Sequence, residues 1–295
     1  MRKLLFLLLA TSLIAGACGE DSTQRKFADT KPTTTDSIRE LYDQADSLYD
    51  QGKYGQAKEN MKRAYASFEL LKVKDADIRV IHLRMLCYIA IAMKEIPNAI
   101  AYANELTAHS VKEEDGAFAL SVIGRVYQEK GDLDKAIGYF EKSLAIDLKT
   151  LEPDDPDLAY TCVNLGSAHD LKGKYDKAIS YYEKSLAIAI KVLGSEHLNI
   201  GYTYANLASA HELKGDYDKA IKLLKKSLAI MLKKLGSRHL EVASAYQSLG
   251  KVYAKKGDKP KAKAFLLKAR AIFVKKLGPK HPDRKRTQAL IDKLK

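Results

Sequence analysis

Cysteine is scarce in this chain: its 295 residues include three, Cys18, Cys87 and Cys162. Cys87 and Cys162 stand far apart in the sequence, each within an apolar helical pattern, so they read as small core residues rather than a disulfide or metal pair. No Cys/His cluster has metal-ligand spacing, and no metal is expected. A Ser or Cys nucleophile signature, a glycine-rich phosphate loop and an isolated acidic pair are also missing. These absences argue against an enzyme and against a cofactor. Long hydrophobic runs are missing too, the longest near the N-terminus being 4–14. At a helical rise of about 1.5 Å per residue it covers about half of a ~30 Å hydrocarbon core, too little for a lasting transmembrane helix.

What is present begins with an N-terminal address. The opening stretch, MRKLLFLLLATSLIAGAC, joins a basic start (Arg2, Lys3) to that apolar run and to small residues before a cysteine, the pattern of an export signal. The ending Ile14-Ala15-Gly16-Ala17-Cys18 resembles the lipobox of bacterial lipoproteins, with Ala15 where Leu is usual. The resemblance implies a signal peptide at 1–17 and acylation of Cys18, palmitate included, as the mature N-terminus. Two or more acyl chains would hold the protein stably on a membrane. The following GEDSTQRKFADTKPTTTD has one aromatic residue and much Thr, Asp and Lys, so 18–36 reads as a flexible tether of about 25 Å mean reach.

Beyond 36 the chain repeats itself. "GDLDKA" at 131–136, "GKYDKA" at 173–178, "GDYDKA" at 215–220 and "GDKPKA" at 257–262 start at one fixed interval. The alanines extend the register backwards as Ala57, Ala99, Ala136, Ala178, Ala220 and Ala262, with only the step from Ala99 to Ala136 shortened. Within a repeat, Cys162, Leu165, Gly166 and His169 share one helical face and Ala178, Tyr182, Leu186 and Ala189 another. The short motif is therefore the elbow of a helical hairpin, its glycine placed where a helix ends with positive φ. Asp176 and Asp218 fall in the first turn of the next helix, where the macrodipole favours an acid.

Small residues at Gly124, Gly166, Ala208 and Gly250, each following an apolar residue and followed three positions on by Tyr or His (Tyr127, His169, His211, Tyr253), resemble tetratricopeptide repeats (TPR). The 42-residue period, with "LGSEH", "LGSRH" and "LGPKHP" between hairpins, is similar to the kinesin-light-chain-type subclass. The resemblance implies an all-α, right-handed α-solenoid of about six hairpins. Divergent repeats occupy 37–109, regular ones 116–282, and a capping helix 283–295. Lys94 stands where the second elbow glycine is expected. His197, His239 and His281 recur at the same interval, but stacking would hold equivalent atoms about 10 Å apart, too far for a shared metal. Hydrogen bonding at the start of each following helix is their expected role.

Charge is uneven. Residues 201–295 carry 24 Lys and Arg against 7 Asp and Glu. Lysines recur at every seventh position along second helices, as Lys219, Lys226 and Lys233 and as Lys261, Lys268 and Lys275, and Lys225, where the preceding repeat has Glu183, joins them in a basic surface. In this family the first helices line the concave side, which implies an exposed peptide groove of Tyr160, Asn164, Ser167, Asp170, Tyr202, Asn206, Ser209 and Glu212. Its asparagine amides can donate to and accept from a peptide backbone, the alternative being amides that pack between helices. The expected function is a protein-interaction scaffold or assembly adaptor, lipid-anchored in a bacterial cell envelope, on the outer membrane if the cell is Gram-negative. Its partner would be a protein or extended peptide. The alternative is polyanion binding (acidic lipid, lipopolysaccharide or nucleic acid) by the basic C-terminal repeats.

Overall fold

The computed structural model describes residues 35–50, 52–70, 76–109 and 113–294. The expected signal peptide at 1–17, the acylation site Cys18 and the tether up to residue 34 lie outside the described residues.

Thirteen helices and no strands form the described residues. They are α1 (Thr35–Asp50), α2 (Tyr54–Leu70), α3 (Ala76–Ala92), α4 (Ile96–His109), α5 (Glu113–Lys130), α6 (Leu133–Thr150) and α7 (Pro156–Leu171). Then follow α8 (Tyr175–Leu193), α9 (Leu198–Lys214), α10 (Tyr217–Leu235), α11 (Leu240–Lys256), α12 (Lys259–Lys276) and α13 (Pro282–Asp292). Because α1 starts at Thr35, the helical array begins slightly earlier than the expected position 37. Five hairpins, α1–α2, α3–α4, α5–α6, α9–α10 and α11–α12, pack within the compact units, α7 runs into α8 through a sixth elbow, and α13 is the cap, in keeping with the all-α array that the sequence implies. Two compact units divide the chain, residues 1–168 and 169–295.

One hydrogen-bonded closure makes all six elbows. At the fifth, the Gly215 N–H donates to the Glu212 carbonyl at 3.2 Å and the Asp216 N–H to the His211 carbonyl at 2.8 Å. The pair satisfies two carbonyls that the helix end leaves open. The same pair of hydrogen bonds recurs around Gly52, Lys94, Gly131, Gly173 and Gly257. All six residues have positive φ, from 59° at Lys94 to 97° at Gly215. Lys94 is the only non-glycine among the described residues in this region of backbone space.

Packing follows from the small residues. Ala57, Ala99, Ala136, Ala178, Ala220 and Ala262 are wholly buried. A Cβ on Gly250 of α11 would stand 2.6 Å from Leu266 Cγ of α12, and one on Gly124 of α5 2.6 Å from the Phe140 ring of α6. Glycine lets these paired helices approach that closely. In the first compact unit Cys87 lies in the main apolar cluster with Met61, Leu83, Ile89 and Leu106. Cys162 is buried too, and neither cysteine forms a disulfide, as expected of core residues.

The three recurring histidines are N-caps. His197 Nδ1 accepts from the Asn199 N–H at 3.3 Å, His239 Nδ1 from Glu241 at 3.2 Å and His281 Nδ1 from Asp283 at 3.3 Å. An accepting Nδ1 requires the neutral ring. Burial, followed by Lys234 or Lys276 nearby, lowers the pKa of His197 and His239 and favours that form.

Candidate binding surfaces

The first-helix face differs from the exposed groove expected of it. Tyr160, Asn164, Ser167, Asp170, Tyr202, Asn206 and Glu212 are all buried, and Ser209 is half-buried. Long polar side chains from neighbouring first helices reach three of them, Tyr160, Ser167 and Glu212. In the first compact unit Arg125 of α5 donates to the Tyr160 hydroxyl at 3.0 Å, and Gln128 Nε2 to Ser167 Oγ at 3.4 Å. In the second, the Lys251 and Lys255 ammonium groups of α11 sit 2.9 and 2.7 Å from Glu212 Oε1. Each of the two asparagines keeps one buried amide atom without a hydrogen-bond partner, Asn164 Nδ2 in the first compact unit and Asn206 Oδ1 in the second. Both residues sit within helices, α7 and α9, so their backbones are satisfied while these side-chain atoms are not.

His169 and His211 are buried, His169 stacked on Tyr181 with ring centroids 5.6 Å apart. His211 Nδ1 lies 3.2 Å from Asp216 Oδ2 across the elbow. These are packing roles, as their positions in the repeat imply.

The seven predicted surface lysines lie together on α10 and α12 of the second compact unit, all exposed, but they are not equivalent. Lys233 pairs with Glu196 at 2.5 Å. Lys261 pairs with Asp258 at 2.7 Å, which raises the lysine pKa and lowers that of the acid. Ammonium groups of Lys226, Lys261 and Lys268 lie 5.1–5.6 Å from the ring centres of Tyr204, Tyr253 and Tyr246, close enough for cation–π attraction. Lys219, Lys225 and Lys275 have neither an acid nor a ring as partner among the described residues.

Two clefts open in this compact unit. One, of about 400 Å³, lies between α8 and α10, with Ile179, Leu207 and Leu223 below and Asp176, Glu183, Lys219 and Lys226 around it. The other, of about 880 Å³, lies between α12 and α13, where Leu267, Ala271 and Val274 meet Lys275, Arg284 and Lys285. The sequence reading did not assemble the second cleft. Its signal was the outer-face series Glu141, Glu183, Lys225, Leu267, in which charge gives way to an apolar residue.

A profile described as Tetratricopeptide repeat matches residues 117–191, 163–233 and 199–275, and a second profile of the same description matches 42–81. No curated protein sequence matches the chain. Among solved structures, a putative kinesin light chain with TPR-like repeats from Podosopora anserina is 28% identical; the match covers 60% of this chain and 83% of that one at a TM-score of 0.54. PilW, a type IV pilus biogenesis factor, is 18% identical over 85% of this chain and 98% of its own, at a TM-score of 0.59. A Rap protein complexed with competence and sporulation factor is 14% identical over 88% and 71%, at a TM-score of 0.62. The last two likenesses are of fold alone. With profile matches over more than half of its length and a hairpin register to match, this chain belongs to the tetratricopeptide-repeat family.

Proposed function

We propose that this chain is a membrane-anchored TPR lipoprotein that acts as a protein-interaction scaffold or assembly adaptor in a bacterial cell envelope. Family membership carries the scaffold part, because tetratricopeptide repeats are generally non-catalytic and expose surfaces rather than reactive groups. The basic start, apolar run and small residues before Cys18 support export and acylation. The fold it shares with a pilus biogenesis factor and with a Rap protein in complex with a factor accords with assembly work and peptide recognition. Within each compact unit, the orphaned amide of Asn164 or of Asn206 offers a peptide backbone one unmade hydrogen bond. Both amides are buried, so reaching one requires local rearrangement of the side chains around it.

A second reading, polyanion binding, is favoured by one observation: Lys219, Lys225 and Lys275 are exposed and ion-paired with no acid among the described residues. Cross-linking in intact cells separates the two. Photoreactive residues placed on α9 and α10 of the full-length chain should give discrete protein adducts that persist at high salt. Adducts only to lipid or nucleic acid, lost steeply as salt rises, would reverse the order of the two readings. Mass analysis of Cys18 and fractionation of Cys18→Ser test the anchor. An unacylated, soluble wild-type chain would remove the membrane from the proposal.

A further inference from the structure

We infer that the cleft between α12 and α13 is a docking site for an acidic amphipathic helix of a partner protein; this names a surface for the scaffold reading and rests on it. The cleft floor is apolar. Leu267, Ala271 and Val274 occur at i, i+4 and i+7 of α12 and so share one stripe, with Leu267 37% and Val274 44% exposed. On the neighbouring second helix α10, the equivalents of Leu267 and Val274 are an exposed lysine, Lys225, and a half-buried leucine, Leu232. The Val274 position is apolar in each regular second helix, with Leu148 exposed too, but Leu267 takes a position that Glu141, Glu183 and Lys225 hold in the earlier hairpins, so only here does an open apolar pair form.

The facing helix shows what shape would fit. Residues of α11 that pack on their own second helix α12 include Ala243, Tyr246 and Gly250. The positions one repeat further on, in α13, are Lys285, Gln288 and Asp292, and all three line the cleft. A helix in this cleft would therefore take the place against α13 that α12 takes against α11. No helix among the described residues lies there.

Charge says what that helix carries. Arg270, Lys275, Arg284 and Lys285 line the cleft against one acid, Asp292. Arg270 Nη1 is held by Gln288 Oε1 at 3.1 Å, and Gln288 in turn donates to Asp292 at 3.2 Å, while the other three cations make no ion pair among the described residues. One hairpin earlier Lys233 is neutralised by Glu196. The residue equivalent to that glutamate beside Lys275 is Arg238, so the repeat's own counter-charge has been reversed at this end. An apolar stripe under unpaired cations complements a helix with leucines on one face and Glu or Asp flanking them.

The test uses the purified full-length chain and a synthetic five-turn helical peptide with such a face, beside a permuted peptide of identical composition. Expected is saturable binding of the amphipathic peptide only. Leu267→Glu and Val274→Glu, and separately Arg284→Glu with Lys285→Glu, should each weaken it about tenfold or more, the second pair with a reduced salt dependence. Lys219→Glu with Lys226→Glu should leave it unchanged. Equal binding of both peptides, no binding, or insensitivity to the cleft variants would overturn the inference. A chain that self-associates through this face, with dimers lost in Leu267→Glu, would overturn it in favour of a second copy. Protein adducts from probes on α9 and α10 would keep the scaffold reading even if the cleft proved empty of partners.

Discussion

Gly250 and Leu266 meet so closely that a methyl group on the glycine would also stand 3.1 Å from the Ala262 carbonyl oxygen, on backbone that cannot swing away. Gly250→Ala should therefore destabilise the second compact unit by about 1–3 kcal/mol. Gly201, inside α9, provides the contrast: its added Cβ would meet Ile230 at 3.4 Å, an ordinary contact. There alanine should stabilise by about 0.5–1 kcal/mol through helix propensity. Urea midpoints of the two variants moving the same way would refute the close-packing account.

Lys94 holds an elbow that five glycines hold elsewhere. A left-handed conformation costs a non-glycine residue about 1–2 kcal/mol, and the greater freedom of glycine in the unfolded chain returns part of it. Lys94→Gly should thus stabilise the first compact unit by about 0.5–1 kcal/mol, while Gly215→Lys should destabilise the second by a similar amount. Thermal and urea unfolding of the pair would check both signs.

Acid acts in opposite directions on two buried groups of the first compact unit. Burial, opposed by a hydrogen bond from Thr161 and reinforced by Asp157 and Asp155, pushes Asp147 up to about 6. Its folded pKa exceeds its unfolded one, so its contribution is full below about pH 4 and is lost as pH rises through about 6. His82, between Tyr42 and Tyr65, is pushed down to about 4 by burial. Its contribution is full above about pH 6.5 and is lost as pH falls through about 4. Each effect is on the order of 2–3 kcal/mol, so the wild type should vary little between about pH 4.5 and 7.5. Asp147→Asn, which keeps an acceptor for Thr161, should gain stability near pH 7.5 and little near pH 4.5. His82→Phe should lose the acid-side fall.

The histidine caps can be read by substitution. His239→Ala removes the acceptor for the Glu241 N–H and should cost about 0.5–2 kcal/mol. His239→Asn, with a carbonyl oxygen within reach of the same N–H, should restore most of that loss. Added zinc should change neither variant nor the wild type; zinc-dependent stabilisation of the wild type alone would instead indicate a metal site.

The hairpins, elbows, wholly buried alanines and histidine caps were legible in the sequence because each depends on residues close together in the chain and repeats at a fixed interval. The reach of long side chains was not. Arg125 to Tyr160 and Lys251 to Glu212 join residues 35 and 39 apart, and whether such a chain folds over its neighbour or extends into water depends on packing in three dimensions. The expected groove was assigned from the family and so took no account of these covers. The basic face was visible as a count, but its sorting into ion-paired, ring-stacked and free lysines needed positions such as Glu196 beside Lys233.

The two buried thiols have a practical consequence. Both lie in the first compact unit, and burial pushes Cys87 up to about 12, which suppresses the thiolate that reacts with alkylating reagents. In a Cys18→Ser chain, alkylation could then proceed only as fast as that unit opens. The rate at Cys87 would time local opening of the apolar cluster that holds it, and residues 169–295, which contain no cysteine, would add no signal.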